Sequence, residues 1–394
     1  MLVAVLIIAL CMVGIGWYLS HDVFSPYVAV PGVWSMAILI YYFLPNTFYA
    51  VTNDFPYVLS LWLVGFFASS VIAEHYTPVA SQAWREREPS PMVLRVYFVL
   101  SCFSIPAVCG AILWQALTED PENIFRYMRI MNTGLDENIE MPNVGILIYS
   151  VSLAFVLMFF SLLYFKSKLA KFVVILLNVM LAVVTMAKTT FLSIMFSSLY
   201  LCYVQNIIKK RHLLYGLAVF VALSFVVQQL RSVDEDVEAN SFLALYLSSS
   251  IVAFDHFAVP CSSQFFGMHT FRIFYAIGHA IGLTEPPADT VLAFVSVPNM
   301  TNTYTNMYPF YEDFGYVGVL VFSIVYGLFY GYLYKKSRTG GKFQLILYAI
   351  FLTFVLMEFI GEFLFTNMSA TLQYIFFAFL PFAFKRSRNE RLTC

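Results

Sequence analysis

Five of the 22 lysines and arginines stand apart from the chain's basic clusters, and they are the residues best placed to bind an anion. They are Arg126, Arg129, Lys188, Arg231 and Arg272. A cation near lipid costs at least about 2.5–3.5 kcal/mol on insertion scales, so it is usually kept for a function. The planar fork of arginine matches the oxygens of a phosphate group. These residue types indicate an anionic ligand, and a pyrophosphate at the level of the lipid headgroups is the obvious candidate.

Each of these cations also has a structural explanation. Arg126 and Arg129 lie three residues apart in an acidic loop, where exposed charge pairs are common and weak. Lys188 can snorkel to the membrane interface. Arg231 can complement a helix dipole, although acidic residues follow it. We favour the functional interpretation for Arg231, and both interpretations stay open for Lys188 and Arg272.

No metal ion or other cofactor is expected from the sequence. The six cysteines show no CxxC or metal-ligand spacing, and the six histidines show no HExxH-like spacing. Arginines that bind a diphosphate do not require a metal. His256, His269 and His279 lie in one long loop, where packing is the more common role, but any of them could be a general base.

The composition indicates which elements position these residues. The 394 residues are 60% hydrophobic and only 11% charged, whereas soluble domains carry about 25% charged residues. The mean hydropathy is +0.77. A bilayer core excludes charge and requires helices of about 20 apolar residues. The sequence therefore predicts an all-α, polytopic membrane protein with one integral membrane domain over residues 1–394, and the net charge of −1 does not indicate a nucleic-acid partner.

Eleven apolar runs are long enough to be predicted as transmembrane helices. They are Leu2–Leu19, Tyr27–Leu44, Tyr57–Ala73, Met92–Leu117, Asn143–Phe165, Leu169–Ala187, Thr189–Ile207, Leu213–Leu230, Phe314–Tyr334, Phe343–Phe365 and Ser369–Phe384. All the basic clusters fall on one side of the membrane if the N-terminus is outside and the C-terminus is inside.

The opposite side then receives two acidic loops, at 118–142 and 231–313. The second loop contains two apolar pieces within 241–283, SFLALYLSSSIVAF and FRIFYAIGHAIGL. They are predicted as interfacial helices or re-entrant pieces, or both as further spans. The sidedness of the remaining chain is the same in either case. Long loops in compact proteins are usually functional, so we expect the site in this outer loop.

Two segments of the chain resemble a known family. They are YLSSSIVAFDHF at 246–257 and TNTYTNMYPFYEDFGYVGVLVFSIVYGLFYGYLYKK at 301–336. Together with the many helices, the late outer loop and the basic tail, they make the chain similar to the Wzy-type oligosaccharide repeat-unit polymerases, which make bacterial O-antigen and capsule. One difference is that the family often has an arginine where Lys188 stands. Lysine keeps the charge and loses the bidentate phosphate contact.

The resemblance implies a glycosyltransferase on the outer, periplasmic face of the bacterial inner membrane. Its donor would be a growing glycan on a polyprenyl pyrophosphate, and its acceptor a new lipid-linked repeat unit. A hydroxyl of the acceptor would attack the anomeric carbon of the donor, and the lipid pyrophosphate would leave. The bilayer and a chain-length regulator protein would be further partners.

The roles that the resemblance implies fall on three groups of residues. Arg231 and Arg272, with Lys188 as a weaker third, would stabilise the charge on the pyrophosphate. The general base would be Asp255, Glu312 or Asp313, because a carboxylate at a desolvated interface has a raised pKa. The sugar would be bound by tyrosine rings and neighbouring hydrogen-bonding groups, namely Tyr304, Tyr308, Tyr311, Asn302 and Thr303. The tyrosines could equally form an interfacial aromatic belt.

Two other functions stay open. A ligase that moves finished glycan from the same lipid to a lipid A core would use similar chemistry. A flippase for lipid-linked oligosaccharide would need polar residues deep inside several helices, and Glu358 and Glu362 are predicted to share one face of helix 10. They could be a proton site in a transporter or partners of Lys188 or Arg231 in a polymerase. Gly327 and Gly331 form a GxxxG pair, which predicts close helix packing for any function.

Overall fold

A computed structural model describes residues 1–44, 47–52, 54–79, 81–82, 87–133, 139, 141–186, 188–208, 242–289 and 291–384. Within these ranges the chain forms thirteen α-helices and one two-stranded hairpin, which confirms the predicted all-α membrane fold. The helices are α1 (Leu2–Ser20), α2 (Pro26–Phe43), α3 (Phe55–Tyr76), α4 (Pro91–Glu119), α5 (Ile124–Thr133), α6 (Tyr149–Tyr164), α7 (Lys168–Val184), α8 (Lys188–Val204), α9 (Phe242–Phe257), α10 (Arg272–Ala280), α11 (Tyr308–Arg338), α12 (Lys342–Leu356) and α13 (Met368–Ala383).

Six helical segments in the described ranges are long and apolar enough to span a membrane. They are Leu2–Ser20, Pro26–Phe43, Phe55–Tyr76, Pro91–Glu119, Gly145–Tyr164 and Tyr308–Arg338. Three shorter apolar helices are Thr189–Val204, Lys342–Leu356 and Met368–Ala383. The predicted span Leu213–Leu230 lies outside the described residues. The chain is thus a multi-pass membrane protein, and the number eleven stays a prediction.

Several helices begin where their sequence favours a helix start. Pro26 and Pro91 are the first residues of α2 and α4, the position where proline's missing N–H is not needed. Ser167 precedes α7, and its hydroxyl accepts a hydrogen bond from the backbone N–H of Ala170 at 3.2 Å, as an N-cap does. The outer loop at 118–142 contains the short helix α5.

Two compact units make up the chain. The first comprises Met1–Ala80, Asp236–Gly340 and Phe354–Thr371. In this unit α3 packs along α11 at glycine positions. A Cβ on Gly327 would lie 2.5 Å from the carbonyl oxygen of Phe66, and one on Gly331 would lie 2.4 Å from that of Ser70. The GxxxG pair therefore serves close helix packing, as the sequence predicted.

We expect Gly327→Ala to destabilise the protein by about 1–3 kcal/mol, because the added methyl group has no space and must push the two helices apart. The free energy of unfolding in mixed detergent measures this effect. Gly14→Ala is the matched control, since a Cβ on Gly14 has no atom within 4 Å. Equal stability of the two variants would contradict the packing role of Gly327.

Helix α11 is kinked at Gly315, which has φ 60° and ψ −149°. L-residues rarely adopt such a conformation, and glycine does so at little cost. The kink interrupts the helical hydrogen bonds, so carbonyl groups just before it can accept other donors. The N–H of Cys261 donates to the carbonyl of Tyr311 at 3.1 Å, and that of Ser263 donates to the carbonyl of Glu312 at 3.1 Å. The segment 259–263, in the loop before α11, is thereby bound to the first two turns of α11.

Other parts of the loop before α11 also pack against helices of the first unit. Helix α9 is largely buried, and the hydroxyl of Ser248 donates to the carbonyl of Ala37 in α2 at 3.1 Å. Strands β1 (Val295–Ser296) and β2 (Met300–Thr301) form an antiparallel hairpin. Of the two apolar pieces predicted within 241–283, α9 is therefore a packed helix, whereas α10 exposes apolar side chains such as Phe274 and Ile277.

The second unit comprises Ser81–Glu235, Gly341–Thr353 and Leu372–Cys394. Its apolar core joins side chains of α4, α5 and α7, among them Ile112, Met128 and Leu181. Asn178 is buried in α7, and its amide donates to the carbonyl groups of Ala154 and Val174 at 3.1 and 2.9 Å. This polar residue in an apolar helix is thus satisfied within the unit.

The prediction that Glu358 and Glu362 share one helix face is wrong. Helix α12 ends at Leu356, and the chain continues through turns to a bridge between Thr305 and Gly361. The apolar pattern continues past Leu356, so hydropathy does not indicate where this helix ends. Both glutamates therefore lie in a non-helical segment, which packs against the residues just before α11.

Candidate functional site

The candidate residues of the first unit gather where the outer loop meets the start of α11. Glu312 is buried there, and one of its carboxylate oxygens accepts the N–H of Val259 at 2.8 Å. The other accepts the hydroxyl of Ser262. Glu312 is thus held by the chain that directly follows α9.

Asp313 binds a later part of the same loop. Its carboxylate accepts the N–H of Thr270 at 2.7 Å and that of His269 at 3.3 Å, and it also accepts the hydroxyl of Ser263. Burial lowers the pKa of His269, against the opposing effect of the Asp313 carboxylate. Since Thr270 is two residues before Arg272, Asp313 fixes the chain that leads into α10.

Arg272 is the first residue of α10 and is half-buried. Its Nε donates to the carbonyl oxygen of Ala288. Burial lowers the pKa of its guanidinium, and the Asp289 carboxylate raises it; an arginine starts from a pKa so high that it remains a cation at neutral pH. Among the described residues, the hydrogen bond to Ala288 uses one of the five N–H donors of the guanidinium, so further donors could contact an anion.

Asp255 lies at the C-terminal end of α9 and is buried. Its two carboxylate oxygens accept the N–H of Thr52 at 2.9 Å and that of Phe55 at 3.1 Å. Phe55 is the first residue of α3, so the carboxylate compensates unsatisfied N–H groups at a helix start. This contact joins α9 to α3.

The tyrosines of the 301–315 stretch differ in exposure. Tyr311 is fully buried, and its hydroxyl donates to Asp54 at 2.6 Å. Tyr304 is buried and donates to the carbonyl of Ala293 at 3.1 Å; its pKa is raised to about 12 by burial and by Glu312. Tyr308 is half-buried, with its ring 4.7 Å from that of Tyr304. Of the three tyrosines, Tyr308 is the one that is not buried.

The other predicted sugar-binding residues lie just before these tyrosines. Asn302 and Thr303 are both half-buried. The hydroxyl of Thr303 is 2.9 Å from that of Thr301, which in turn is 3.2 Å from that of Ser249 in α9. These hydroxyl groups form a short polar row beside the hairpin.

Two predicted cations cannot be placed in this assembly. Arg231 lies outside the described residues. Lys188 is the first residue of α8, in the second unit, and its side chain lies outside what the structure describes. Arg272 is therefore the predicted phosphate-binding residue whose surroundings are known.

Glu358 is buried, and the sequence interpretation named it as a possible proton site in a transporter or a partner of Lys188 or Arg231. One carboxylate oxygen accepts the indole N–H groups of Trp34 and Trp62, each at 3.0 Å. The other oxygen has no hydrogen-bond partner among the described residues, and Glu358 is 2% exposed. Its backbone carbonyl accepts the N–H of Asn306 at 2.8 Å, which ties it to the 301–315 stretch. The signal in the sequence was a carboxylate in an apolar run.

Glu362 has a clearer structural role than Glu358. Its carboxylate accepts the N–H groups of Leu364 at 2.6 Å and Thr366 at 2.6 Å, together with the hydroxyl of Tyr326. It therefore shapes the turn before α13. Within the described ranges, no group of three His, Cys, Asp or Glu residues could hold a metal ion.

Comparison with protein families gives a match over a large part of the chain. Residues 141–359 match the model of the family described as "Putative O-antigen polymerase". The matched region runs from just before α6 to just after α12, so it contains Asp255, Arg272, Glu312 and Asp313. No curated protein and no solved structure matches the chain.

Proposed function

The chain belongs to this family of O-antigen polymerases, and we propose that it transfers a growing glycan from a polyprenyl pyrophosphate to a new lipid-linked repeat unit. The observation that carries the proposal is the assembly of Arg272, Glu312 and Asp313 inside the matched region. These residues come from two segments about 40 positions apart in sequence. The N–H of Thr270 donates to the Asp313 carboxylate, and the N–H of Ser263 donates to the backbone carbonyl of Glu312, so the two segments are held together. We place the protein in the bacterial inner membrane, with its N-terminus and this assembly on the periplasmic side and its C-terminus in the cytoplasm.

The proposed reaction exchanges one bond to the anomeric carbon for another. The oxygen of an acceptor hydroxyl forms a bond to the anomeric carbon of the donor glycan. The bond between that carbon and the pyrophosphate oxygen breaks, and its electron pair stays on the departing lipid pyrophosphate. The hydroxyl proton passes to a carboxylate. The protein therefore needs a cation for the leaving group, a base and a surface that binds sugar.

Arg272 would stabilise the charge that develops on the pyrophosphate, because it is a half-buried cation with free donor positions on its fork. We propose Arg231 as a second cation of this kind and Lys188 as a weaker third, on the sequence argument alone. The half-buried ring of Tyr308 would stack on a sugar, with hydrogen bonds from Asn302 and Thr303. Tyr304 would support Tyr308, since it is buried and its ring lies 4.7 Å from the Tyr308 ring. Tyr311 is fully buried and donates to Asp54, so it would not contact the sugar.

The three candidate bases differ in how many backbone N–H groups each carboxylate accepts. Among the described residues, Asp255 and Asp313 each accept two, and a hydrogen bond from an N–H group favours the charged form of a carboxylate. Glu312 accepts one. We therefore propose Glu312 as the general base and Asp313 as a positioning residue that holds the segment leading to Arg272. Asp255 would be structural.

We expect Glu312→Gln to lower turnover by about 10²–10⁴-fold, the range for a general base. Asp313→Asn keeps one acceptor oxygen for the loop, and we expect a loss of less than about tenfold. Turnover would be measured on vesicles with lipid-linked repeat units, over a range of pH. Glu312→Gln should also remove the acidic limb of the pH profile. If Asp313→Asn were the more severe variant and flattened that limb, the assignment of the base would be reversed.

Deletion of the gene tests the function itself. A polymerase mutant should still carry lipid A with a single repeat unit, visible on a gel as one short band in place of a ladder. Loss of all surface glycan would indicate a ligase or a flippase instead. Complementation with the intact gene, at checked expression, should restore the ladder.

A further inference from the structure

The second unit contains a cavity that the proposed reaction does not use. Its volume is about 260 Å³, and it lies where α4 begins, α6 ends and α7 begins. Its lining is almost entirely apolar and includes Leu94, Phe98, Val99, Tyr164 and Phe165. Because it opens between helices of a membrane protein, such a space accepts hydrocarbon more readily than water.

Two cations line the same cavity. Arg95 lies one turn into α4, and Lys166 lies in the turn between α6 and α7. Lys171 lies at the same end, since its Nζ donates to the carbonyl of Leu162 at 3.3 Å. Near this end, Lys342 forms an ion pair with Glu88. The basic side chains at these helix ends therefore lie beside an apolar cavity between the helices.

We propose that this cavity binds one acyl chain of an anionic phospholipid from the surrounding bilayer, with the lipid phosphate between Arg95 and Lys166. Basic pockets between transmembrane helices are suited to acidic headgroups. A zwitterionic lipid would bring an ammonium group next to the two cations, so it is disfavoured. By the distribution of basic clusters, we place this end of the helices at the cytoplasmic face.

Native mass spectrometry of the purified full-length protein can count the lipids that stay bound. The probes are phosphatidylglycerol and phosphatidylcholine with identical acyl chains. Each basic residue near a membrane surface contributes about 1 kcal/mol toward an anionic lipid, so two should favour phosphatidylglycerol by about tenfold or more. Equal retention of the two lipids would overturn the proposal.

Two variants separate the cavity from general surface charge. The double variant Arg95→Gln, Lys166→Gln should lose the preference for phosphatidylglycerol. Ala170→Phe places a ring in the cavity and should lower retention of phosphatidylglycerol although both cations remain. The control Lys335→Gln, Lys336→Gln removes two basic residues at the end of α11, in the first unit, and should keep the preference.

Thermal unfolding of each variant shows whether it is folded. If Ala170→Phe is misfolded, the milder variant Ala170→Leu replaces it. Unchanged preference in the double variant, or unchanged retention in the cavity-filling variant, would overturn the proposal. A polyprenyl phosphate that displaced phosphatidylglycerol from the wild-type protein at equal concentration would also overturn it. The glycosyl-transfer proposal is unaffected by any of these results.

Discussion

Arg272→Ala is expected to convert the ladder of long glycans into lipid A that carries a single repeat unit. Removing one preorganised donor from a developing anion typically lowers turnover by about 10²–10³-fold. Arg272→Lys keeps the charge but loses the planar fork, so it should retain shorter chains at a reduced rate. The measurement is the distribution of chain lengths on a gel, with turnover on lipid-linked repeat units in vesicles.

Arg87→Ala is the matched control for this experiment. Arg87 also donates to one backbone carbonyl, that of Ala383 at 3.4 Å, but it lies in the second unit. Its loss removes a similar bond without touching the proposed pyrophosphate site. Long chains in Arg272→Ala, at expression equal to wild type, would show that this arginine does not act on the leaving group.

Glu358→Ala is expected to give the largest loss of stability among carboxylate variants of the first unit. The substitution leaves the indole N–H groups of Trp34 and Trp62 buried without an acceptor. An unsatisfied buried donor costs about 1–3 kcal/mol, so two give about 2–6 kcal/mol. Glu358→Gln retains an oxygen that can accept from both indoles, and its stability should stay within about 1 kcal/mol of wild type.

The free energy of unfolding in mixed detergent is the measurement for these variants. Glu285→Ala is the control, since Glu285 is exposed in the outer loop and a surface change usually alters stability by about 0.5 kcal/mol or less. If Glu358→Ala were as stable as Glu285→Ala, the indole contacts would not be a main support of this unit.

Most helix positions could be predicted from apolar run length. The bilayer requires a run of nearly fixed length with few charges, and the predicted span Leu2–Leu19 corresponds to the helix Leu2–Ser20. The ends were harder to predict where polar residues continue a helix. Helix α11 begins at Tyr308, six residues before the predicted start, because Pro309 is favourable in a first turn even among polar neighbours.

The site could be predicted only as a set of residues and not as an arrangement. The sequence singled out Glu312 and Asp313, but it did not indicate that both carboxylates accept hydrogen bonds from the loop 259–270. It singled out Glu358 as well, but it did not indicate the indole partners of this carboxylate, which are 324 and 296 positions away. Such pairings depend on how distant helices pack, and neither hydropathy nor local spacing contains that information.

The kink at Gly315 affects which substitutions are tolerated in the loop before α11. Two hydrogen bonds between this loop and α11 join main-chain atoms only, and their donors are the N–H groups of Cys261 and Ser263. Replacing the side chains of these two residues therefore leaves both bonds in place. These two bonds keep the loop in position when the side chains of Cys261 and Ser263 change, whereas the bonds from the Ser262 hydroxyl to Glu312 and from the Ser263 hydroxyl to Asp313 depend on the side chains. An alanine scan of residues 259–263 would leave these two backbone hydrogen bonds intact. A substitution of Gly315 would affect them, because the kink at this glycine allows the two carbonyl groups to accept donors from the loop.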